Sequence, residues 1–390
     1  MATVPTPSDT RTTLPFDRTR LDELLEAAGA DLVVATSPHN TRYLLGGYRH
    51  HFHERMPAGG LSSYLSAVAY PRARPDAAFV VGRPVEEEEQ RRAGVWVPQA
   101  INEGRTSAQV GEVVAREVAR LGHRDGTVAV ELPFLPADAL LALQRALPGV
   151  RFVDASALLD ELRVVKRPDE LAVLKEASEA VVASMLSVYA RARPGITTRE
   201  MTELLAEEEA RRGLAFDYCL IATARSFYRA PSEDRWAAGE TISTDSGGSR
   251  HGYLGDLARM AVFGEPNELM RELLSEIDEA QQAARRPIRP GALRAAVNAA
   301  AHDAISALPH RSQIEFEAHG MGLVNHEAPH VELAREGDGT TLAAGMVLSI
   351  ETTLKNPQVG FVKLEDTVVV TEDGWEAYGD TGRGWNVAGA

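Results

Sequence analysis

Four acidic residues lie in segments whose residue pattern predicts buried or half-buried β-strand, and one histidine precedes a glycine-rich run. They are Asp245, Asp256, His319, Glu351 and Glu365. Glu351 follows a largely apolar run, and Glu365 lies just before three consecutive valines. An ionised carboxylate that is buried without a partner costs several kcal/mol, so buried acids are paired with a cation or coordinate a metal. The set therefore predicts either a group of ion pairs or a metal centre.

The ion-pair interpretation needs a basic partner for each acid, and Arg259 and Lys363 are the obvious candidates. The metal interpretation needs only the set itself. Carboxylate oxygens with one imidazole suit Mn²⁺, Co²⁺, Fe²⁺ or Zn²⁺, and four carboxylates are enough to bridge two ions. Two such ions lower the pKa of a bridging water and polarise the carbonyl that it attacks, while Glu365 could pass the water's proton to a leaving nitrogen.

The segments that carry these residues alternate with helices in the second part of the chain. Strand patterns cover residues 240–245, 252–264, 345–354 and 360–374, and helical patterns cover 169–192, 197–212, 266–286 and 292–308. Pro168 suits the first position of a helix, and the acids that follow it suit the first turn. We place the domain boundary near Arg163 and expect a catalytic domain over residues 164–390.

The first part predicts a smaller α/β domain over residues 15–163, preceded by a flexible tail over residues 1–14. Its helical patterns cover 18–28, 108–122 and 136–147, and its strand patterns cover 30–36, 63–70, 77–82 and 127–132. No residue group in this part looks catalytic by itself. The tail is rich in Pro, Thr and Ser and has no apolar region of the kind found in signal peptides.

Composition excludes several classes of partner. The chain has 390 residues, with 41 Lys and Arg against 56 Asp and Glu, for a formal charge of −15. Because nucleic acids and anionic membranes are bound by basic surfaces, we expect neither as a partner. Cys219 is the only cysteine, which excludes an intrachain disulfide. No apolar run approaches the roughly 20 residues of a membrane span. We therefore expect a cytoplasmic protein.

Five segments in the second part are similar to the signature segments of the pita-bread metallohydrolases, the superfamily of methionine aminopeptidase, aminopeptidase P, prolidase and creatinase. They are DSGG (245–248), GYLGDLAR (252–259), HGMGLVNHEAPH (319–330), SIETT (349–353) and VKLEDTVVVTEDG (362–374). In the first part, SPHNTRYLLGG (37–47) resembles the creatinase-type N-terminal domain. The resemblance implies an α+β fold, with a pita-bread C-terminal domain and a smaller α/β creatinase-type N-terminal domain.

The resemblance also implies roles for individual residues. Asp245, Asp256, His319, Glu351 and Glu365 would be the five metal ligands, with Asp256 and Glu365 bridging two divalent ions. Mn²⁺ is the first expectation, with Co²⁺, Zn²⁺ or Fe²⁺ as alternatives. His326 would hydrogen-bond the substrate or a reaction intermediate. A homodimer is also expected from the resemblance.

The sequence departs from the peptidase pattern in two places. Peptidase members carry a histidine about 11 residues before the glycine that precedes the first ligand strand, and counting back from Gly239 reaches Tyr228. Tyr228 or its neighbour Arg229 could donate a hydrogen bond there, but neither exchanges a proton near pH 7 as an imidazole does. Lys363 stands where prolidases commonly have Arg, which removes a bidentate contact to substrate.

A histidine-rich segment in the first part carries a further expectation. In creatinase-like dimers the corresponding loop reaches the neighbouring subunit's active site. The resemblance then implies that Arg49, His50, His51, His53 and Arg55 bind a carboxylate of a small substrate. A separate metal site formed by these histidines is the alternative.

Three functions remain open from the sequence. The first is a metal-dependent hydrolase of a C–N bond, acting on a dipeptide in the manner of an Xaa-Pro dipeptidase or aminopeptidase. The second keeps the fold and acts on a small metabolite, as creatinase, ectoine hydrolase or the dimethylsulfoniopropionate lyases do, and the absent histidine favours it. The third is a binding module without activity, which the complete ligand set disfavours.

Overall fold

The computed structural model describes residues 14–53, 64–224, 226–335, 337 and 339–389. The chain forms two compact units, and the division between them falls between Leu162 and Arg163. Within the described ranges, no helix combines the length and the apolar character that crossing a membrane requires.

The first unit is built on a six-stranded mixed sheet. Its strands are β1 (Leu32–Ala35), β2 (Ala67–Pro71), β3 (Phe79–Val81), β4 (Gln99–Ile101), β5 (Asp125–Val130) and β6 (Gly149–Asp154). The strand order is β4-β3-β2-β1-β5-β6. β1 pairs with β5 in parallel and with β2 antiparallel, so the sheet is mixed.

In the described part of the first unit, six α-helices accompany this sheet. They are α1 (Arg18–Ala27), α2 (Pro38–Leu44), α3 (Glu87–Ala93), α4 (Ser107–Arg120), α5 (Ala137–Ala146) and α6 (Ser156–Leu162). Two of them, α4 and α5, contribute apolar residues to the buried cluster of the sheet. In α4, Val110, Val114 and Val118 recur every four residues and join the strand residues Val34 and Phe79 in one buried cluster. This part is the α/β structure that the sequence predicts.

The second unit is built on a larger, mostly antiparallel sheet. Its strands are β7 (Ile196–Thr197), β8 (Ala215–Thr223), β9 (Arg235–Trp236), β10 (Thr241–Arg250), β11 (Tyr253–Val262), β12 (Ile314–Gly320), β13 (Val347–Asn356), β14 (Gly360–Val370), β15 (Trp375–Tyr378) and β16 (Asn386–Val387). The main order is β12-β13-β14-β11-β10-β8, with β15 paired to β14, β16 paired to β11, and β7 and β9 forming a separate small sheet. The four predicted strands are present, whereas the sequence pattern did not predict β8 or β12.

Four helices of the second unit match the predicted helical segments closely. They are α7 (Pro168–Arg191), α8 (Thr198–Arg211), α9 (Glu268–Arg285) and α10 (Arg294–Ala307). The helix α7 lies directly against β11. A Cβ on Gly255 of β11 would stand only 2.7 Å from the backbone nitrogen of Ser178 in α7, which is closer than real Cβ atoms approach. A glycine is therefore required at this position.

Candidate metal centre

The strand register brings the four predicted carboxylates onto one face of the sheet. Glu351 on β13 lies directly opposite Glu365 on β14. On the neighbouring pair, Asp256 of β11 lies opposite Gly247 of β10, two residues after Asp245. Since side chains alternate between faces along a strand, Asp245 and Asp256 point to the same side. Two antiparallel strand pairs thus each supply two acids.

The imidazole arrives from the edge strand of the same sheet. His319 on β12 pairs with Ser349, two residues before Glu351, and so shares its face. One ligand atom from each of Asp256, His319 and Glu365 can be chosen so that all three lie within 4.8 Å of one another. The five predicted ligands line one cavity of about 470 Å³. The structure therefore brings together all five side chains singled out in the sequence.

The site is deeply buried and strongly acidic. Asp245, Asp256, His319 and Glu365 are each 2% exposed or less. Burial raises the pKa of Asp256 well above its usual range, and the charges of Glu365 and Asp245 act in the same direction. Burial, followed by the charge of Glu365, also raises the pKa of Glu351 to about 8. Carboxylates crowded in this way need cations beside them.

Lys363 supplies one of those cations. Its Nζ lies 2.6 Å from Asp245 Oδ2 and 2.8 Å from Glu365 Oε2, and it also pairs with Glu351 Oε2. Burial acts to raise the pKa of Glu365, but the charges of Lys363 and His319, together with hydrogen bonds from Lys363 and Ser349, lower that pKa to about 2. The ion-pair alternative is thus present in a form that the sequence did not suggest, because one lysine joins three acids.

Arg259, the other basic partner considered from the sequence, serves a different purpose. Its NH2 lies 2.6 Å from Asp366 Oδ1, and its NH1 donates to the carbonyl oxygens of Ala258 on β11 and Glu365 on β14. Ala258 and Glu365 also lie directly opposite each other where β11 pairs with β14. Arg259 therefore links β11 and β14, which carry the two halves of the site, through their backbone carbonyl groups. Its charge is paired with Asp366 and not with a carboxylate of the cavity.

Asp256 has a neutral partner. The hydroxyl of Tyr218 on β8 donates to Asp256 Oδ1, and the Asn325 side-chain amide donates to the Tyr218 hydroxyl over 3.3 Å. Tyr218 was not singled out in the sequence, since β8 was not predicted there. Its phenol orients one carboxylate oxygen and adds no charge.

His326 lies in the cavity beside His319. Its ring stacks on the ring of His319, with centroids 3.8 Å apart and planes inclined by 16°, and it lines the cavity. Burial, followed by the charge of His319, lowers the pKa of His326 below its ordinary value. A neutral imidazole near neutral pH can donate or accept a hydrogen bond at the substrate.

The loop that carries His326 is anchored by the next residue. Glu327 is buried, with Oε1 2.9 Å from Lys166 Nζ and Oε2 3.1 Å from Arg163 NH2. These two bases come from the segment that precedes α7. Their pairing with Glu327 fixes the backbone on which His326 is mounted.

The placement of Tyr228 corrects a prediction. Its side chain is 61% exposed and does not line the cavity, whereas Phe227 and Arg229 on either side of it do. The guanidinium of Arg229 pairs with Asp245 Oδ2 and lies 4.5 Å from the ring centre of Phe361. Of the two residues that the sequence offered for this position, Arg229 is the one that lines the cavity.

The predicted carboxylate-binding segment of the first unit is only partly described. Arg49 is half-buried, and Arg55 lies outside the described residues. His53 is buried, with Nε2 2.9 Å from the carbonyl oxygen of Thr36, and burial lowers its pKa to about 4. His50 Nδ1 lies 3.0 Å from Glu89. His50 and His53 therefore have partners inside the first unit, which argues against their predicted role.

Two cavity acids were missed in the sequence. Glu315 and Glu317 lie on β12 and line the cavity together with His319. Glu317 also stands directly opposite Glu351, so that three glutamates form a row across β12, β13 and β14. The alternation of residues 315, 317 and 319 could have revealed them, had the strand been recognised.

Comparisons with known proteins agree with this architecture. Residues 172–372 match the family described as metallopeptidase family M24, and residues 18–165 match the creatinase/prolidase N-terminal domain. The Xaa-Pro dipeptidase of Pyrococcus furiosus is 29% identical over 223 residues, which are 56% of this chain and 63% of that protein. The match therefore spans less than two thirds of that relative's length.

Solved structures are similar over nearly the whole chain. The dipeptidase PepE of Mycobacterium ulcerans is 27% identical with a TM-score of 0.78, covering 95% of this chain and 96% of that one. The Xaa-Pro dipeptidase of Bacillus anthracis has a TM-score of 0.81 at 23% identity, covering 95% and 98%. At 23% identity, the similarity to the Bacillus anthracis structure shows a shared fold only.

Proposed function

Because the chain belongs to metallopeptidase family M24, we propose that it is a hydrolase that cleaves the C–N bond of a dipeptide or small amide with two divalent metal ions bound by Asp245, Asp256, His319, Glu351 and Glu365. The observation that carries this proposal is the convergence of these five side chains on one buried cavity. An Xaa-Pro dipeptide is the nearest substrate class, from the names of the similar proteins.

The donor set fits such ions. In the described part of the chain, the permanently charged bases that pair with these four carboxylates in the cavity are Lys363 and Arg229, which are fewer than the acids. Carboxylate oxygens with a single imidazole favour Mn²⁺, with Co²⁺, Zn²⁺ and Fe²⁺ as alternatives. When bound, divalent ions supply a water of lowered pKa and polarise the carbonyl to be attacked.

The chain's own residues supply the remaining functions. We propose that Glu365 accepts the proton of the attacking water and passes it to the leaving nitrogen, so that the C–N bond is replaced by a carboxylate and a free amine. We propose that His326 hydrogen-bonds the substrate. Arg229, rather than Tyr228, would donate the second hydrogen bond to the substrate or the intermediate. Lys363 can turn toward a substrate carboxylate, because its long side chain has several rotatable bonds.

Further parts of the proposal concern the surroundings of the site. Arg49 and Arg55 would bind a substrate carboxylate from a second copy of the chain, which makes a homodimer part of the proposal. Action in the cytoplasm is supported by the single cysteine.

A non-peptidase activity on a small metabolite is the second candidate. The observation that favours it is the replacement of an imidazole by the Arg229 guanidinium beside Asp245. The sequence has no histidine between His123 and His251. A guanidinium binds an anion well but does not exchange protons near neutral pH, so the site favours a substrate that needs no second proton relay.

Metal analysis and substrate profiling test the proposal together. Asp256→Asn should lower bound metal and abolish turnover, because this carboxylate is proposed to hold both ions, whereas Asp373→Asn on the exposed surface should change neither. A panel of Xaa-Pro dipeptides beside small amidino and cyclic compounds separates the two candidates. Full activity of the chelator-treated protein would refute the metal-dependent hydrolase, and turnover confined to dipeptides would end the second candidate.

A further inference from the structure

Glu317 is an acid of the cavity wall to which the proposed reaction gives no role. It lies on β12 two residues before His319 and on the same face, directly opposite Glu351 on β13. The residue is exposed, and an exposed carboxylate is ionised near neutral pH. Within the described ranges of the chain, no hydrogen bond or ion pair engages this carboxylate. The wall of the cavity therefore carries a negative charge that is not paired with a cation there.

In the described structure, the lysine and arginine side chains that line the cavity are engaged by other acids. Lys355 Nζ lies 3.0 Å from both oxygens of Glu315, the acid two residues before Glu317 on the same strand. Lys363 and Arg229 pair with carboxylates of the proposed metal centre. A substrate cation that reaches Glu317 therefore gains an ionic contact without competing with a base of the protein.

Asn325 offers a second acceptor in the same cavity. The hydroxyl of Tyr218 donates its one hydrogen to Asp256, so towards Asn325 it can only accept. The amide nitrogen of Asn325 must then face Tyr218, at 3.3 Å, and the amide oxygen is turned away from it. That oxygen is buried and has no hydrogen-bond partner among the described residues. An unpaired buried acceptor is costly, and an N–H group of a substrate would satisfy it.

Both acceptors lie beside His326, which is proposed to hydrogen-bond the substrate. Asn325 precedes it in the chain. Burial and the charge of His319 lower the pKa of His326, and the charge of Glu317 opposes them, which shows that Glu317 is near this ring. A carboxylate and an amide oxygen together suit a group that is positively charged and has several N–H donors. An ammonium or a guanidinium group meets both conditions.

The position of Glu317 along β12 indicates which part of a substrate would reach it. Residues two apart on a strand are separated by roughly 7 Å, so Glu317 lies at that distance along the strand from the proposed ligand His319. The α-amine of a dipeptide is only two bonds from the carbonyl carbon that is attacked, and so stays close to the metal centre. The end of a lysine or arginine side chain extends several ångströms further. Glu317 therefore suits the end of a basic side chain.

We propose that Glu317 is a specificity-determining residue that selects dipeptides whose N-terminal residue has a basic side chain. Its carboxylate accepts hydrogen bonds from the ammonium or guanidinium group, and Asn325 Oδ1 accepts a further N–H of the substrate. This inference rests on the proposed function and names its substrate class. An acidic side chain in the same place would be repelled by Glu315 and Glu317.

Kinetics with two dipeptides of similar shape and different charge test the proposal. With Mn²⁺, the wild type should show a kcat/KM for arginyl-proline that is higher than for citrullyl-proline by roughly fivefold, the upper end for an exposed ion pair. Glu317→Gln should remove most of this preference. Glu317→Lys should instead favour glutamyl-proline over glutaminyl-proline. Glu372→Gln is the matched control, because Glu372 is exposed and lies outside the cavity lining, so the wild-type ratio should be retained.

Bound metal is measured on the same preparations, so that a loss of the centre is recognised. A ratio that falls in Glu317→Gln while bound metal stays at the wild-type level is the expected result. The proposal is overturned if the wild type does not prefer arginyl-proline, if Glu317→Gln slows both dipeptides equally, or if the ratio falls only together with bound metal.

If the wild type hydrolyses neither dipeptide, the proposed function fails, and calorimetric titration with the same two dipeptides decides the role of Glu317. Tighter binding of arginyl-proline by the wild type, but not by Glu317→Gln, would support that role. Equal affinities of the wild type for both dipeptides would overturn it.

Discussion

Glu209 on α8 is a buried carboxylic acid whose surroundings favour the neutral form. Ser246 Oγ lies 3.1 Å from Glu209 Oε1 and 2.8 Å from the carbonyl oxygen of Tyr218, to which it donates its hydrogen. Glu209 Oε2 is buried and has no hydrogen-bond partner among the residues that the structure describes. A protonated Glu209 that donates to Ser246 Oγ fits both distances. Burial raises the pKa of Glu209 to about 8, and the charge of Asp217 adds to the effect.

This raised pKa makes the stability of the protein depend on pH. Between the ordinary value of 4.5 and about 8, the folded state keeps a proton that the unfolded chain has lost. The free energy of unfolding therefore falls by about 1.4 kcal/mol per pH unit over this window. The contribution is complete below the ordinary pKa and lost above the raised one, with an upper bound of roughly 5 kcal/mol.

Replacing Glu209 by Gln tests this dependence, because the amide stays uncharged at every pH. The stability of Glu209→Gln relative to wild type should increase by roughly 3 kcal/mol or more between about pH 5 and about pH 8.5. Urea unfolding followed by tryptophan fluorescence is a suitable measurement, since three of the four tryptophans lie in the second unit. Glu203→Gln on the exposed side of the same helix is the control. Parallel pH profiles for Glu209→Gln and wild type would refute the reasoning.

Two further changes test buried and substrate-facing charges. Asp366→Asn should lower the free energy of unfolding by roughly 3 to 5 kcal/mol, because Arg259 would stay buried without its counter-charge and Arg285 would keep only its pair with Asp380. Urea denaturation measures this, and a loss below about 1 kcal/mol would contradict the assignment. Arg49→Ala should raise KM for a substrate with a free carboxylate and leave bound metal unchanged. Steady-state kinetics with metal analysis decide this, and an unaltered KM counts against the role.

The sequence pattern identified site residues of the second unit where an acidic residue interrupts an apolar strand. An acid inside an apolar strand is unusual enough to be noticed without a structure, and this signal identified Asp256, Glu351 and Glu365. The matching register that brings Glu351 opposite Glu365 was not predictable from local pattern, since strand pairing depends on the whole sheet. Family resemblance supplied what local pattern could not.

Other parts of the site depend on geometry that the sequence does not carry. Lys363 was expected to contact the substrate. In the structure its ammonium group pairs with the carboxylates of Asp245, Glu351 and Glu365. A lysine side chain reaches several ångströms in any direction, so its neighbours are set by the fold. Tyr228 and Arg229 are adjacent in an irregular loop, and counting residues cannot determine which of them faces the cavity.

Within the described structure, Arg259 joins the two halves of the centre without a hydrogen bond or ion pair to the side chains of the five proposed ligands. Its guanidinium bonds the main chain of both strand pairs and Asp366. A change at this one position could move the aspartates away from the glutamates and leave all four intact. A relative that has lost activity through such a change would still carry all five proposed ligands, so a comparison of the ligand positions alone would not reveal the loss. A second substitution that restores the link between the two strand pairs could recover the activity.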